Sequence, residues 1–558
     1  MAANRCPRTA AAVGHTPTGS SLPSEIQASL SVLALGQKRT FALRKIQEYR
    51  ERIAELNRFI ESLKSVVNSD SLILRLLPNE LLIEIFRYLR PTERVEIRIA
   101  HVCSAWRAIL RSTPEFWADL ASIPDPVTAK TEDDWSCYLS CLALSSPQAL
   151  RLALRGNRIP RMPEIRAYLP RITSLTFTFT DSQLADHLSD LYELLKLGLP
   201  SLEELDLTTH EVYFEGIADV PEFGHHSFAS DIKLPRLRLL RTHAIFFTAF
   251  LVCSSLRHLA LINERPMFLG TRTYLEARSY PAFLEALQRC PMLETLEVAY
   301  SMPRSEDDDF TGPPSYSQPC VALKKLCAVT IADETWHIRR FFEAVSFPST
   351  TTVIVHNLAP DWKHAYAEAL PRTRLLEAIP SLERLTLYFD DVVWKCSVRG
   401  FVGDMERFAV HTTWLYELGG LYLEDIHEIF AFGPLVTDLD VVLEVHHSAE
   451  RQYERWDLLF LHFYNVTHLR LESRTCNRLA EALSRETSGQ YPLPRLEELQ
   501  VQCIVGGESA LEVERHILEG AVRLRETAGF KLRHWSVESQ PGVIDFDGIY
   551  EPSEMVAC

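Results

Sequence analysis

The sequence predicts an α/β protein in which an N-terminal helix and a small all-α module precede an irregular α/β repeat solenoid. Three patterns carry that expectation. Apolar residues recur seven apart within 38–67, two helical stripes punctuated by proline follow within 74–120, and one short apolar phrase returns at intervals near 30 residues between 145 and 540. The 558 residues far exceed a typical domain of roughly 100–200, so several domains or one long array must share them. With 46% hydrophobic and 24% charged residues, 21 Gly and 31 Pro, the composition is that of a globular protein and excludes collagenous or low-complexity classes.

Residues 1–37 read as a disordered tail. Arg5 and Arg8 stand with no acid before Glu25, as in a transit peptide, but Pro7, Gly14, Pro17 and Gly19 break any amphipathic helix there. The first 24 residues lack the apolar core of a secretory signal, and no stretch approaches the ~18–20 uninterrupted apolar residues of a membrane helix. An intracellular protein, in cytoplasm, nucleus or both, with no membrane partner is therefore expected. A helix is expected over 38–70, because Ile46, Ile53, Ile60 and Val67 share one heptad position and Tyr49, Leu56 and Leu63 another, with Glu48, Glu51, Arg52 and Glu55 outside the seam. Such a helix either pairs with a second copy as a short coiled coil or lies against its own chain.

Within 74–120, Leu77, Leu81, Leu82, Ile85, Phe86 and Leu89 make one helical stripe, opened by Pro78 and closed by Pro91. Ile99, Val102, Cys103, Trp106, Ile109 and Leu110 make a second, ended by Pro114, with Phe116 and Trp117 beyond. Helices this short bury little surface alone, so they either pack on a neighbour or form half of an interface. The order Leu77-Pro78, Glu80-Leu81-Leu82, Ile85-Phe86, Leu89, Val102-Cys103, Trp106-Arg107 and Phe116-Trp117 resembles the F-box, the module by which substrate receptors dock on the Skp adaptor of cullin–RING ubiquitin ligases. The stretch between Leu89 and Val102 is longer than usual for that family, and Glu96 falls where it tends to have Leu. The resemblance implies adaptor contact through Leu77, Pro78, Leu81, Leu82, Ile85, Phe86, Leu89, Val102, Cys103, Trp106 and Trp117. It also implies that Leu77, Leu81, Phe86 and part of the second stripe stand open to solvent in the isolated chain.

The repeated phrase places an apolar residue, two others, an apolar residue, one other and an apolar residue. Its copies are anchored by Ile172, Leu175 and Phe177; Leu202, Leu205 and Leu207; Leu256, Leu259 and Leu261; Leu293, Leu296 and Val298; and Leu323 with Leu326. They continue at Leu382, Leu385 and Leu387; Val436, Leu439 and Val441; Val466, Leu469 and Leu471; and Leu496, Leu499 and Val501, with weaker copies around Leu237 and at Leu532, Trp535 and Val537. Segments of helical periodicity lie between copies, at 184–198, 281–290, 338–345, 365–370, 478–486 and 509–526. Strand followed by helix, repeated, yields a parallel sheet curved into an arc. This is similar to leucine-rich repeats of the α/β horseshoe type over 145–540, although His210 and Arg474 stand where Asn or Cys is usual.

Apolar side chains of such strands point inward, and their neighbours, by the period of two, point to the concave surface. Those neighbours include Glu204, Asp206, Glu297, Asp438, Asp440, Glu472, Glu498 and Glu538 against Arg241, Lys325, Arg384 and Arg470, with His258, His468 and His534 among them. Asp206, Glu297, Arg384, Asp438, Asp440, Arg470 and Glu498 are the candidate substrate contacts. The bias is acidic, so either a basic protein substrate or no preference is expected. Of the net charge of −16, residues 1–67 contribute +5, which leaves −21 on the remainder and argues against nucleic acid as a partner.

The acidic, Pro- and Ser-rich stretch 301–319 reads as an exposed loop, either mobile or a partner or phosphorylation site at Ser305, Ser315 or Ser317. The pairs His225-His226 and His446-His447 lack carboxylates at ligand spacing, and residues 541–558 form an acidic tail. Twelve scattered cysteines, nearest at Cys137 and Cys141, read as reduced thiols. No phosphate loop, nucleophile elbow or zinc motif is present, so no metal or cofactor is expected. The expected function is non-catalytic: a substrate receptor of an SCF-type cullin–RING ligase, docked through Skp to a cullin. A repeat scaffold without degradation and an enzyme with an unrecognised site in the arc are the alternatives.

Overall fold

The structure, a computed structural model, describes residues 22–69, 76–123, 132–155, 165–179, 191, 194–209, 234–242, 247, 253–262, 280–302, 321–359, 382–390, 395–414, 436–444, 460, 463–473, 477–486, 491–504 and 508–539. The described residues fall into two compact units, one of residues up to Arg90 with Val95–Thr113, the other of Pro91–Arg94 with residues from Pro114 on.

The first unit opens with helix α1 (Ser24–Val32), which carries Glu25 in its first turn, where the helix dipole favours an acid. The disordered tail expected over 1–37 thus gives way to helix from Ser24. Helix α2 (Leu35–Ser69) follows, rich in Leu, Arg, Glu, Lys and Ala, all strong helix formers. None of its residues 35–67 is buried.

Helix α3 (Asn79–Tyr88) starts where Pro78 predicts: Pro78 is the N-cap, and its carbonyl accepts the amides of Leu81 and Leu82 at 3.1 and 3.2 Å. The second stripe is split. A 3₁₀ helix covers Arg94–His101, and helix α4 (Ser104–Arg111) begins after Cys103, whose Sγ accepts the Trp106 amide at 3.4 Å as a cap. The Arg107 Nε donates to the Ala100 carbonyl at 2.9 Å and ties the two pieces together.

The second unit begins with helix α5 (Pro114–Ser122) and helix α6 (Glu132–Leu144). Its strands are β1 (Leu150–Arg155), β2 (Ile172–Phe179), β3 (Glu204–Thr209), β4 (Leu239–Thr242), β5 (His258–Ile262), β6 (Thr295–Ala299), β7 (Val321–Ala322), β8 (Ala328–Glu334), β9 (Val345–Ser346) and β10 (Thr352–Ala359). They continue as β11 (Arg384–Asp390), β12 (Lys395–Val402), β13 (Met405–Trp414), β14 (Asp438–Glu444), β15 (His468–Ser473), β16 (Glu498–Cys503) and β17 (His534–Ser539). Among them lie helices α7 (Tyr280–Gln288), α8 (Thr335–Ala344), α9 (Asn477–Ser484) and α10 (Glu508–Thr527), at four of the expected positions. The expected helix at 365–370, most of that at 184–198, residues 303–319 of the expected loop, both His pairs and the tail lie outside the described residues.

Fifteen described strands join in one sheet, in the order β1-β2-β3-β4-β5-β6-β8-β10-β13-β12-β11-β14-β15-β16-β17, while β7 and β9 pair separately. Register follows the apolar phrase. Leu175, Leu205, Leu240, Leu259, Leu296, Val329 and Val353 share one ladder row, each at most 1% exposed, because a one-residue slip would turn all of them to the opposite face. Burial of each such side chain is worth roughly 1.5–3 kcal/mol, which makes these rows the main stabilising feature of the unit.

One element departs from the expected repetition. Strands β11, β12 and β13 form an antiparallel meander laid into the parallel sheet, so β10 pairs with β13 and β11 with β14. The turn at Gly403-Asp404 requires φ of +57° at Gly403, which glycine adopts without strain. At Gly400 a Cβ would lie 2.5 Å from Cδ1 of buried Leu382, so a larger residue there would have to displace the end of that side chain. Lys325 also departs from expectation, since it sits in the turn before β8 rather than on a strand.

The far end of the sheet is closed by α10. Its Arg525 is 1% exposed and donates to the carbonyls of Pro492, at 2.7 Å, and Leu493, with Phe530 beneath the guanidinium. Burial lowers its pKa to about 10. Arg525→Ala leaves two buried carbonyls without their charged donor and opens a cavity, with an expected loss of about 3 kcal/mol. Urea unfolding of the two proteins measures this, and Lys at 525 should restore only part of it, because one ammonium cannot reproduce the guanidinium fork.

Candidate functional site

Two surfaces hold the residues singled out by the sequence. On α3, adjacent residues are turned by about 100° around the axis, while residues four apart share a face. Leu82 and Phe86 turn inward, at 2% and 1% exposure; Cys103, Ile109 and Leu110 are buried too, and α3 packs on α4. The Phe86 ring meets Trp106 edge to face, with centroids 5.3 Å apart. Leu81 and Ile85 turn outward, at 50% and 46% exposure, and Val102 is 53% exposed.

Pro78 is exposed, and Leu77, Leu89 and Trp106 are half-buried. Phe86 was expected in solvent and is instead the centre of this small core. Trp117 belongs to the second unit, where it is buried and packs edge to face on Phe116 at 5.4 Å while α5 packs on α6 and β1. Leu76, Tyr88 and Val95 also lie exposed, and sequence reasoning did not select them.

The second surface is on β11 and β14–β17. Register sets Arg384, Asp438, His468, Glu498 and His534 side by side on consecutive strands, so charges that can be positive alternate with negative ones. Thr386, Asp440, Arg470, Gln500 and Ser536 form the next row of the same face. His468 is placed between two carboxylates, 3.2 Å from Asp438 and 3.7 Å from Glu498. Arg384 lies over the Phe401 ring at 4.4 Å, and Arg470 donates to Gln502 at 3.1 Å.

Burial pushes the Asp440 carboxyl above the usual carboxylate range, against the pull of Arg470 and Arg384. Five of the seven candidate contacts therefore meet in one patch. Asp206 on β3 and Glu297 on β6 stand apart from it, in a row with Arg241. Strand β17 adds His534 and Glu538, so the patch is a ladder of mixed charge with an acidic surplus rather than a uniformly acidic face.

A polar knot at the ends of β6, β8 and β10 gave no signal in the sequence. Asp333 is buried and accepts the amides of Glu334 and Met302 at 2.8 and 3.3 Å, and Thr335 donates to Asn357 at 3.0 Å. His337 stands 3.9 Å from Asp333. Seven of the described cysteines are free thiols, and burial pushes Cys290 up to about 12, which keeps it protonated. Among the described residues, no group of three or more His, Cys, Asp or Glu could hold a metal ion, and no helix is long and apolar enough to cross a membrane.

Residues 74–122 match the F-box-like domain family. The match takes in α3, the 3₁₀ helix, α4 and α5. No curated protein matches the chain.

Proposed function

We propose that this chain is a substrate-recognition subunit of an SCF-type cullin–RING ubiquitin ligase. The observation that carries the reading is the solvent-exposed apolar face of α3, Leu81 with Ile85, joined by Val102, within an F-box-like domain. Two apolar side chains kept in water by a helix whose opposite face already supplies the core are what a docking surface requires, and a scaffold that packs its F-box on itself would bury them. A Skp-type adaptor is the partner that the domain family implies, with a cullin beyond it, inside the cell.

The large sheet is read as an arc of degenerate leucine-rich repeats that holds a protein substrate. Its apolar ladder rows, with polar residues between them, support that reading. The chain's contribution is then effective concentration: a substrate held on one unit is kept near ubiquitin-conjugating chemistry recruited by the other. No bond is made or broken by this chain's own residues.

The patch on β14–β16 is the proposed substrate contact, with a preference for Lys- and Arg-rich segments. Charge reversal at Asp440 is a poor test, because it would set an ammonium beside Arg470 in the same row. Asp438→Asn with Glu498→Gln removes two carboxylates that flank His468 and are about half exposed. Cross-linking of the intact protein in cells should then lose basic partners mapped to β14–β16, roughly tenfold in yield, while adaptor cross-links persist. Unchanged partners, or partners mapped only to residues before 70, would count against a receptor.

A further inference from the structure

Helix α2 presents an apolar seam that stands exposed along its length. The seven residues at its two heptad positions are between 47% and 72% exposed along a helix of 35 residues. Ile at three of the first positions with Leu at two of the second is the choice that favours two-stranded pairing. The positions beside the seam decide what the second strand is. They hold Lys45, Arg52, Phe59 and Val66 on one side and Arg50, Asn57 and Lys64 on the other, four bases with no acid among them.

A parallel pairing of two copies brings Lys45 against Arg50 and Arg52 against Asn57, and an antiparallel one sets each basic flank against itself. Glu48, Glu55 and Glu61 lie farther round the helix, where they pair with Lys45, Arg52 and Lys64 of α2 itself. A second copy therefore brings no carboxylate to the flanks. A helix with Glu or Asp beside its seam brings one to each of the four basic positions.

We infer that α2 docks an amphipathic helix of a different protein, with an Ile/Leu-type seam flanked by carboxylates, and that it disfavours self-pairing. Phe59 and Val66 widen the apolar face over the last two heptads, but the regular spacing of Ile46, Ile53 and Ile60 with Leu56 and Leu63 is that of a helix-pairing seam, which favours a protein partner over lipid. This inference shares no residue with the adaptor surface, so either can fail without the other.

The test titrates the full-length chain with two synthetic four-heptad peptides, both with Ile and Leu at the seam, one with Glu and one with Lys at every flanking position. Fluorescence anisotropy should show the Glu peptide binding at least about thirtyfold more tightly, and Arg50→Glu with Arg52→Glu should reverse the preference. The chain alone should sediment as a monomer at about 10 µM and stay free of phosphatidylserine vesicles. Equal affinity for the two peptides, no binding of either, a dimer dissolved by Ile53→Asn, or retention on the vesicles would each overturn the inference.

Discussion

Leu81→Asp combined with Ile85→Asp is expected to weaken binding of a Skp-type adaptor at least a hundredfold, which corresponds to about 3 kcal/mol across the interface. Folding should be almost untouched. Both side chains already stand in water, at 50% and 46% exposure, so the exchange should alter stability by no more than about 0.5 kcal/mol. Affinity by surface plasmon resonance and thermal unfolding of the same preparations separate the two quantities. A double variant that still binds like the native chain would show that the outward face of α3 is not the docking surface.

Phe86→Ala should do the reverse in kind. The ring is 1% exposed and meets Trp106 edge to face, so truncation removes buried area, leaves a cavity and loses an aromatic contact. A cost of about 3–5 kcal/mol to the small core is expected, a large fraction of what a module this size can have. Hydrogen exchange over 79–111 is the measurement, since it reports this core apart from the large sheet, and protection should fall by more than a hundredfold. Phe86→Leu keeps most of the volume and should restore most of the protection. Adaptor binding should follow protection in both variants, as it depends on an ordered α3. Protection unchanged in Phe86→Ala would mean that α3 is held by something other than this core.

The contrast between these variants shows what can be read from the sequence and what cannot. Pro78, Pro91 and Pro114 mark helix ends in one dimension, because proline acts on its own backbone and its immediate neighbours. The apolar phrase likewise marks strands and their inward faces, since alternation is local. Sidedness of α3 is different: Leu81, Leu82, Ile85 and Phe86 are all apolar, and either pair four apart can supply the core. Only the placement of Trp106, Ile109 and Leu110 decides it. Cys103 is similar, because its role as the cap of α4 depends on a break at Val102 that the continuous apolar stripe conceals.

The charge ladder was half legible. Each of Arg384, Asp438, His468, Glu498 and His534 can be placed beside an inward Leu, Val or Trp in its own repeat, but their alternation exists only once register joins strands far apart in sequence. The β11–β13 meander was signalled by Gly403-Asp404 between two alternating runs, a hairpin signature that the repeat pattern overshadowed.

Titration calorimetry of the full-length chain with a purified Skp-type adaptor measures most directly whether residues 74–122 dock such a partner. A one-to-one complex with a Kd of about 1 µM or tighter is predicted, abolished by Leu81→Asp with Ile85→Asp. Absence of binding at tens of micromolar, by a chain whose 79–111 amides remain protected, would contradict it.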